Sequence, residues 1–568
     1  MVVFLRRFHP GRSVLCSLLV VAICYFAALC VLEKRGFWIT DNANKFLQVQ
    51  ALANSSYTDF SIPWPGQIVD PDFVYNPLPY YFTRVESGKL YSVFSPVFAL
   101  ISALFFTYLG HWGLYLLPAL SSLAMLAGLA QLARLISPRI AVGHVAVLSA
   151  GLCTPVFFYS LVFWEHTPAI CLGIWSVRYL LQFLADSAPK YLCLGMAAAG
   201  LSVYFRDEFY LLCLVLVLCT ACYASAGRLK ILVSSALILL VSLLPLWLFQ
   251  WLTIGHPFGY HLNTHLAIAA DWVHHLAARP RVFYNLFIAS NPIPSLSLVL
   301  ALPFVFAFVL SLRFAPSALQ KAVPVYSVVA LISAGLSLGG YFFSASPIDY
   351  MLKSSNAFFA SAPFVALAFL RSADSDAPSF RRWIWLVALS FAALYALAAP
   401  KVGSMGIHWG NRYFLILYPL FAVLAAGNLI DWLDRQRSYF SAGVLAVGAV
   451  LALSFAAQVY GISILAEKKA FSYRLNSEMR QRSEEVVITN QRWVPHALCG
   501  EFYQRPFFYV ATPGHYERLL QRLSDRGYKS YIFLTQYRGG ALQPTVEVDD
   551  GFLNYFDLQF FAEKISAP

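Results

Sequence analysis

Charge is scarce in this sequence: Asp, Glu, Lys and Arg together make up 12% of its 568 residues, where an ordinary soluble domain carries about 25%. With 59% hydrophobic residues and a mean hydropathy of +0.63, too little polar chain is left to coat the apolar part in water. A second, apolar solvent is therefore required. Soluble globular, coiled-coil and disordered chains are excluded. Acidic residues are the scarcer sign, 28 against 40 Lys and Arg, for a formal net charge of +12. The basic residues stand singly or in pairs between apolar runs, which reads as membrane orientation and not as a nucleic-acid surface.

Other signatures are missing as well. Of the 10 cysteines only Cys499 lies in polar sequence. The rest, including the pair in Cys219-Thr220-Ala221-Cys222, sit in apolar runs, so neither a disulfide framework nor a zinc site follows. There is no G-x-G-x-x-G and no P-loop, so nothing points to a nucleotide. No solenoid or transporter repeat is visible. The apolar run 14–32 follows Arg6, Arg7 and Arg12. It lacks a small-x-small exit site and is read as a retained helix with its N-terminus inside.

What the chain does have is a series of stretches of roughly twenty apolar residues, each able to cross the hydrocarbon as a helix. About thirteen candidates centre near residues 23, 125, 151, 176, 197, 216, 241, 303, 333, 363, 391, 421 and 452. Connections assigned to the inner side hold Arg134, Arg139, Lys190, Arg228, Lys230, Arg313, Lys321, Arg371, Arg381, Arg382, Arg435 and Arg437. The outer ones between later crossings hold Arg206, Arg279, Arg281, Lys353, Lys401 and Arg412. That imbalance is the positive-inside pattern. Counting the run 96–110 as a crossing would invert it, and the run is short for a span. It is read as a helix lying along the outer surface.

Residues 33–112 then form one long outer loop with two in-plane helices, 41–53 and 96–110. Composition changes at Glu467, where a polar segment begins. Val486–Thr489 and residues 531–534 read as strands, and residues 516–526 as an amphipathic helix. The expected architecture is a polytopic α-helical membrane domain over residues 1–466. A small C-terminal α/β extracytoplasmic domain follows over 467–568.

Ionisable side chains are costly near hydrocarbon unless paired or functional, and several are expected at the outer ends of the crossings. Asp41, in Phe37-Trp38-Ile39-Thr40-Asp41-Asn42, has two readings. Thr40 or Asp41 can cap the helix that follows, and the Asp41 carboxylate can take a proton from an acceptor hydroxyl or amine. Glu165 and His166 can position an acceptor, share a metal or cap a helix near Pro168. Arg206 can pair with Asp207 or Glu208, or bind a lipid phosphate. Arg412, in His408-Trp409-Gly410-Asn411-Arg412-Tyr413, runs against the positive-inside tendency. An anionic partner such as a phosphate accounts for it better than topology does. Lys353 and Lys401 are companions that snorkelling also explains.

The loop 253–294 holds His256, His261, His265, His274 and His275 beside Asp271. His261 and His265, four apart, share a helix face as metal ligands often do, but the glutamate of the zinc-protease motif is missing between them. Solvated histidines are the default there, with a divalent metal ion as the candidate cofactor.

The order and spacing of these motifs resemble the membrane-embedded glycosyltransferases that use polyprenyl-phosphate sugars. This is the C-type superfamily (GT-C), which includes protein mannosyltransferases and the lipid A aminoarabinose transferase. The resemblance spans nearly the whole chain. Thr40-Asp41-Asn42 occupies the place of the family's first-loop aspartate motif, and Ser95-Pro96-Val97 that of the proline opening the second in-plane helix. Glu165 or His166 stands for the second acidic site and Arg206 for the basic residue after the fifth crossing. Trp409-Gly410-Asn411-Arg412-Tyr413 is similar to a run in bacterial members, and Val486-Val487-Ile488-Thr489-Asn490 to the first strand of the outer domain. Two departures stand out: Asn42 where glutamate is common, and Ser95 where metal-binding relatives carry an acid.

The resemblance implies a multi-pass protein of the bacterial inner membrane with its site and C-terminal domain in the periplasm. It implies a polyprenyl-phosphate-linked sugar as donor, a lipid, glycan or protein as acceptor, membrane lipids as surroundings and no nucleic acid. In that scheme Asp41 is the base and Glu165 and His166 orient the acceptor or sugar. Arg206 and Arg412 hold the phosphate, with Lys353 as a further substrate contact. The competing class is a glycolipid flippase or secondary transporter without chemistry, which calls for charge at mid-membrane depth and broken helices in both halves. A receptor or assembly scaffold draws support only from the C-terminal domain.

Overall fold

The computed structural model describes residues 12–79, 81–224, 227–268, 276–287, 357–369, 379–399, 408–435, 440–535, 546–547 and 559–564. The expected crossings near 303 and 333 lie outside them, as do Lys353, Lys401, Asp271, His274 and His275.

Helices follow the apolar runs: α1 Arg12–Val31, α2 Thr40–Asn54, α3 Pro96–Leu109, α4 Gly113–Ile136, α5 Ile140–Leu152, α6 Val156–Ser160 and α7 His166–Asp186. Then come α8 Pro189–Ser202, α9 Phe209–Tyr223, α10 Arg228–Ile254, α11 Gly259–Ile268, α12 Arg279–Phe287, α13 Phe358–Ser361, α14 Ser379–Ala398, α15 Leu417–Arg435 and α16 Phe440–Gln481. The C-terminal segment adds α17 Val494–Ala497 and α18 Pro513–Asp525. Among the described residues 6 helical stretches are long and apolar enough to cross a membrane, and two shorter apolar helices, Ile140–Leu152 and Phe209–Tyr223, accompany them. The chain is a multi-pass membrane protein.

Two expected crossings take a different local form. Near 151 the helix stops at Leu152 and resumes at Val156, around Pro155. Near 363 the described residues form the short α13 and a 3-10 helix, Pro363–Phe369, because Pro363 has no N–H to continue an α-helical ladder.

The described chain divides into two compact units. One comprises Met1–Ala28, Leu117–Phe258 and Leu262–Ile462. It is helical, and its packed interior includes Trp164, Trp383, Tyr159 and Tyr418, each nearly or fully buried.

The other comprises Leu29–Leu116, Gly259–His261 and Ser463–Pro568, so the first-loop residues group with the C-terminal segment. Its sheet runs in the order β4-β3-β5-β7-β6, with β3 Val486–Thr489, β4 Phe507–Tyr509, β5 Ser530–Thr535, β6 Val546–Glu547 and β7 Gln559–Lys564. β3 lies parallel to both β4 and β5, whereas β7 is antiparallel to β5. All four β3 residues are buried, as a central parallel strand requires. α18 starts at the Thr512 cap with Pro513 in its first turn and buries Leu519 and Leu523. The exposed edge at β4 is closed by the first loop: Tyr509 N donates to Tyr75 O at 2.9 Å, and Trp64 Nε1 to Phe507 O at 2.9 Å.

Within the loop, β1 Thr83–Glu86 and β2 Lys89–Ser92 form a hairpin that the sequence reading lacked. Its turn residues Ser87 and Gly88 both have positive φ. α3 begins at Pro96 after Ser95 and ends at Gly110, where φ is +56°. The chain then folds back so closely that a Cβ on Gly113 would lie 2.2 Å from Phe105 O.

Candidate functional site

In the helical unit, four segments bring polar side chains into one buried cluster. Glu165 caps α7, Arg206 ends the turn that leaves α8, and Glu208 caps α9. Arg412 begins a single 3-10 turn before α15. The Arg412 segment is held on both sides of the arginine. Asn411 Oδ1 accepts from Tyr413 N at 3.1 Å and Phe414 N at 3.2 Å, and Trp409 Nε1 donates to Gln458 Oε1 at 2.9 Å. Gly410 sits at φ +66°, against the Pro155 ring.

Arg206 is a buried cation between two carboxylates. Its Nε donates to Glu208 at 2.9 and 3.1 Å, and its terminal nitrogen to Glu165 Oε1 at 3.1 Å. Burial on its own would lower the arginine's pKa; Glu208 and Glu165 outweigh it and hold the guanidinium charged, well above its ordinary value. The expected pairing with Glu208 is present, and Glu165 joins it. With both carboxylates engaged, Arg206 is less suited to a phosphate than the sequence suggested.

Arg412 has different company. Its guanidinium lies 5.4 Å from the Trp164 ring centre and 4.9 Å from that of Tyr413, whose hydroxyl it meets at 2.9 Å. Trp164 also packs edge-on to His166 at 4.6 Å between ring centres, and Tyr159 lies 4.9 Å from His166. Among the described residues the buried Trp164 indole N–H and Tyr159 hydroxyl have no hydrogen-bond partner. Trp164 N–H is a donor only, so the ligand chemistry that suits this cluster is an acceptor oxygen beside a cation.

In the other unit, Asp41 lies in the first turn of α2, but neither Thr40 nor Asp41 is the cap. Ile39 is, and Asn42 Oδ1 reaches back to accept from Ile39 N at 3.2 Å. Asp41 is thereby relieved of the capping task. Lys45, four residues on and on the same face, is buried with its ammonium 3.5 Å from the Phe94 ring centre. Asn44 Nδ2 donates to Ser92 Oγ at 2.9 Å, and Asn44 Oδ1 faces His496 Nε2 at 3.3 Å.

Sequence reading missed Lys45, Asn44 and His496. Spacing from Asp41 could have flagged Lys45; nothing in sequence links Asn44 to a histidine 452 positions away.

His261 and His265 do share α11, and the His261 ring packs on Phe94 at 5.5 Å. Among the described residues no group of three His, Cys, Asp or Glu side chains could hold a metal ion. Asn42 offers an amide engaged in capping where a second carboxylate would be needed.

Neither a family model nor a curated protein matches the sequence. Solved structures do. ArnT from Cupriavidus metallidurans bound to undecaprenyl phosphate is 13% identical over 98% of this chain and 100% of that one, with a TM-score of 0.43. The Archaeoglobus fulgidus oligosaccharyltransferase AglB with an inhibitory peptide and a dolichol-phosphate is 14% identical, over 92% and 69%, at 0.48. The apo oligosaccharyltransferase of Archaeoglobus fulgidus is 13% identical over 92% of this chain and 69% of that one, with a TM-score of 0.51. The chain therefore shares its fold with the archaeal oligosaccharyltransferase.

Proposed function

We propose that this protein is a glycosyltransferase that moves a sugar from a polyprenyl-phosphate carrier to an acceptor at the outer face of a bacterial inner membrane. The frame is about thirteen crossings, with residues 467–568 as a periplasmic α/β domain. The observation that carries the reading is the buried Arg412 cluster. It offers a cation and two donors without a hydrogen-bond partner among the described residues, Trp164 N–H and Tyr159 O–H, in a chain whose fold is shared with an oligosaccharyltransferase.

The chemistry follows from the donor. A sugar on a lipid phosphate is already activated. The acceptor oxygen or nitrogen forms a bond to the anomeric carbon as the bond from that carbon to the phosphate oxygen breaks. The electron pair leaves on the phosphate, and the acceptor's proton passes to a base. The reaction therefore needs a base and a cation.

Asp41 is the base. Arg412 stabilises the charge gathering on the polyprenyl phosphate, and Trp164 and Tyr159 donate to its oxygens. Glu165, fixed by Arg206, and His166 orient the acceptor or sugar. Lys353 is a further substrate contact. No step is routed through a metal ion.

Purified protein in detergent tests this directly, because transport has no sidedness there. Consumption of a polyprenyl-phosphate sugar and release of polyprenyl phosphate support the enzyme. An intact donor in detergent, with movement of the glycolipid across sealed vesicles, favours the flippase.

A further inference from the structure

The C-terminal segment supplies a side chain to the helix that carries Asp41. His496, in α17, is fully buried, with its ring 4.9 Å from that of Phe82 and its Nε2 3.3 Å from Asn44 Oδ1. The hydrogen-bond directions in this chain are determined. Asn44 Nδ2 meets Phe82 O at 3.4 Å and Ser92 Oγ at 2.9 Å. A carbonyl oxygen only accepts, so that end of the amide is the NH2 group and the end facing His496 is the oxygen. His496 must then donate from Nε2, which fixes its tautomer in the neutral form. Burial favours that form and pushes the imidazole down to about 4, against the opposing pull of the Asp41 carboxylate.

Asn44 is three residues after Asp41, on the same face of α2. One amide thus ties the first two turns of α2 to the hairpin through Ser92, to the loop through Phe82 and to the C-terminal segment through His496. Tyr503 adds a second tie from that segment, donating to Leu47 O at 2.7 Å. A chain of buried polar groups costs desolvation that an apolar pair would avoid. What it gains is a fixed direction.

We infer that His496 is a positioning residue of the Asp41 site: its Nε2–H holds Asn44, and Asn44 sets the angle at which α2 presents the Asp41 carboxylate. The inference rests on the reading of Asp41 as the base. It gives the C-terminal segment a part in the chemistry beyond packing.

The test is steady-state transfer from a polyprenyl-phosphate sugar by the full-length protein in detergent, comparing wild type, His496→Gln, His496→Phe and Asn44→Ala. Glutamine carries an N–H at the same reach as Nε2, so His496→Gln keeps kcat within about threefold. His496→Phe lowers kcat by about 10- to 100-fold with the donor KM little changed. Asn44→Ala does the same, and combining it with His496→Phe adds no further loss, because both cut one tie.

Wild-type kcat in His496→Phe overturns the inference. So does a glutamine variant as impaired as the phenylalanine one, since rescue by the donor is then absent. Should His496→Phe fail to fold, Asn44→Ala and His496→Gln decide the matter on the same criteria. A wild-type protein that transfers nothing instead defeats the glycosyltransferase reading itself, and the inference with it.

Discussion

Arg206 and Glu165, 41 residues apart in sequence, form an ion pair at 3.1 Å with side chains only 6% and 4% exposed. Glu208 completes the triad on the other edge of the guanidinium. Removing one partner of a buried pair leaves uncompensated charge and costs about 3–5 kcal/mol. Arg206→Met strands two carboxylates and should lower the unfolding stability by that amount. Glu165→Gln leaves Arg206 paired with Glu208 and should cost only about 1–3 kcal/mol. Thermal unfolding in detergent measures both. Equal losses would mean that the triad does not share its charge as the geometry implies.

Arg412 lies beside the Trp164 and Tyr413 rings and donates to the Tyr413 hydroxyl. If it stabilises the leaving phosphate, Arg412→Gln lowers kcat/KM for the donor by about 100-fold or more. Arg412→Lys keeps the charge without the planar fork and recovers only part of the loss. Steady-state kinetics with a polyprenyl-phosphate sugar provides the measurement. Full activity in Arg412→Gln would remove the residue from the site.

The same segment depends on one glycine. A Cβ on Gly410 would fall 2.2 Å from Pro155 Cγ, at a φ of +66° that side chains rarely adopt. Gly410→Ala should therefore cost at least about 1 kcal/mol and shift Trp409 and Arg412 from their contacts. Loss of transfer together with a lower Tm is expected. A fully active, equally stable variant would show that the turn tolerates another path.

His496 makes stability depend on pH. Its folded-state pKa is about 4 against an ordinary 6.5, through burial. The unfolded chain therefore takes up a proton first as pH falls. The contribution is complete above pH 6.5, erodes below it and is gone near pH 4, a loss of about 3 kcal/mol. His496→Gln lacks this term. Its stability relative to wild type should improve steadily as unfolding is followed from pH 7.5 down to about 4.5. A constant difference across that range would contradict a neutral buried imidazole.

Much of the frame could be read from local pattern. The strand Val486–Thr489 coincides with its expectation. The expected helix 41–53 is α2, Thr40–Asn54, and 96–110 is α3, Pro96–Leu109. Apolar run length, a proline at a helix start and a terminal glycine are all properties of neighbouring residues. The hairpin Thr83–Ser92 went unread because its strands are four residues each and largely polar, with pairing to supply what the pattern lacks. β4 and β7 likewise owe their places to partners far along the chain.

The candidate site divides the same way. Motif position singled out Asp41, Glu165, His166, Arg206 and Arg412. It could not reveal that Glu165 and Glu208 share one arginine, or that His496 stands behind Asn44. Each of those facts is a meeting of side chains that only the folded chain brings about.

In the proposed reaction Asp41 accepts the proton as the sugar leaves its carrier. Asp41→Asn keeps the size of the side chain and removes its basicity, so the direct measurement is single-turnover transfer from a polyprenyl-phosphate sugar by purified wild-type and Asp41→Asn protein, with Tm as the check on folding. The Asp41→Asn protein is expected to keep its Tm while its rate falls by at least about 100-fold. Transfer at the wild-type rate by that variant would contradict this role of Asp41.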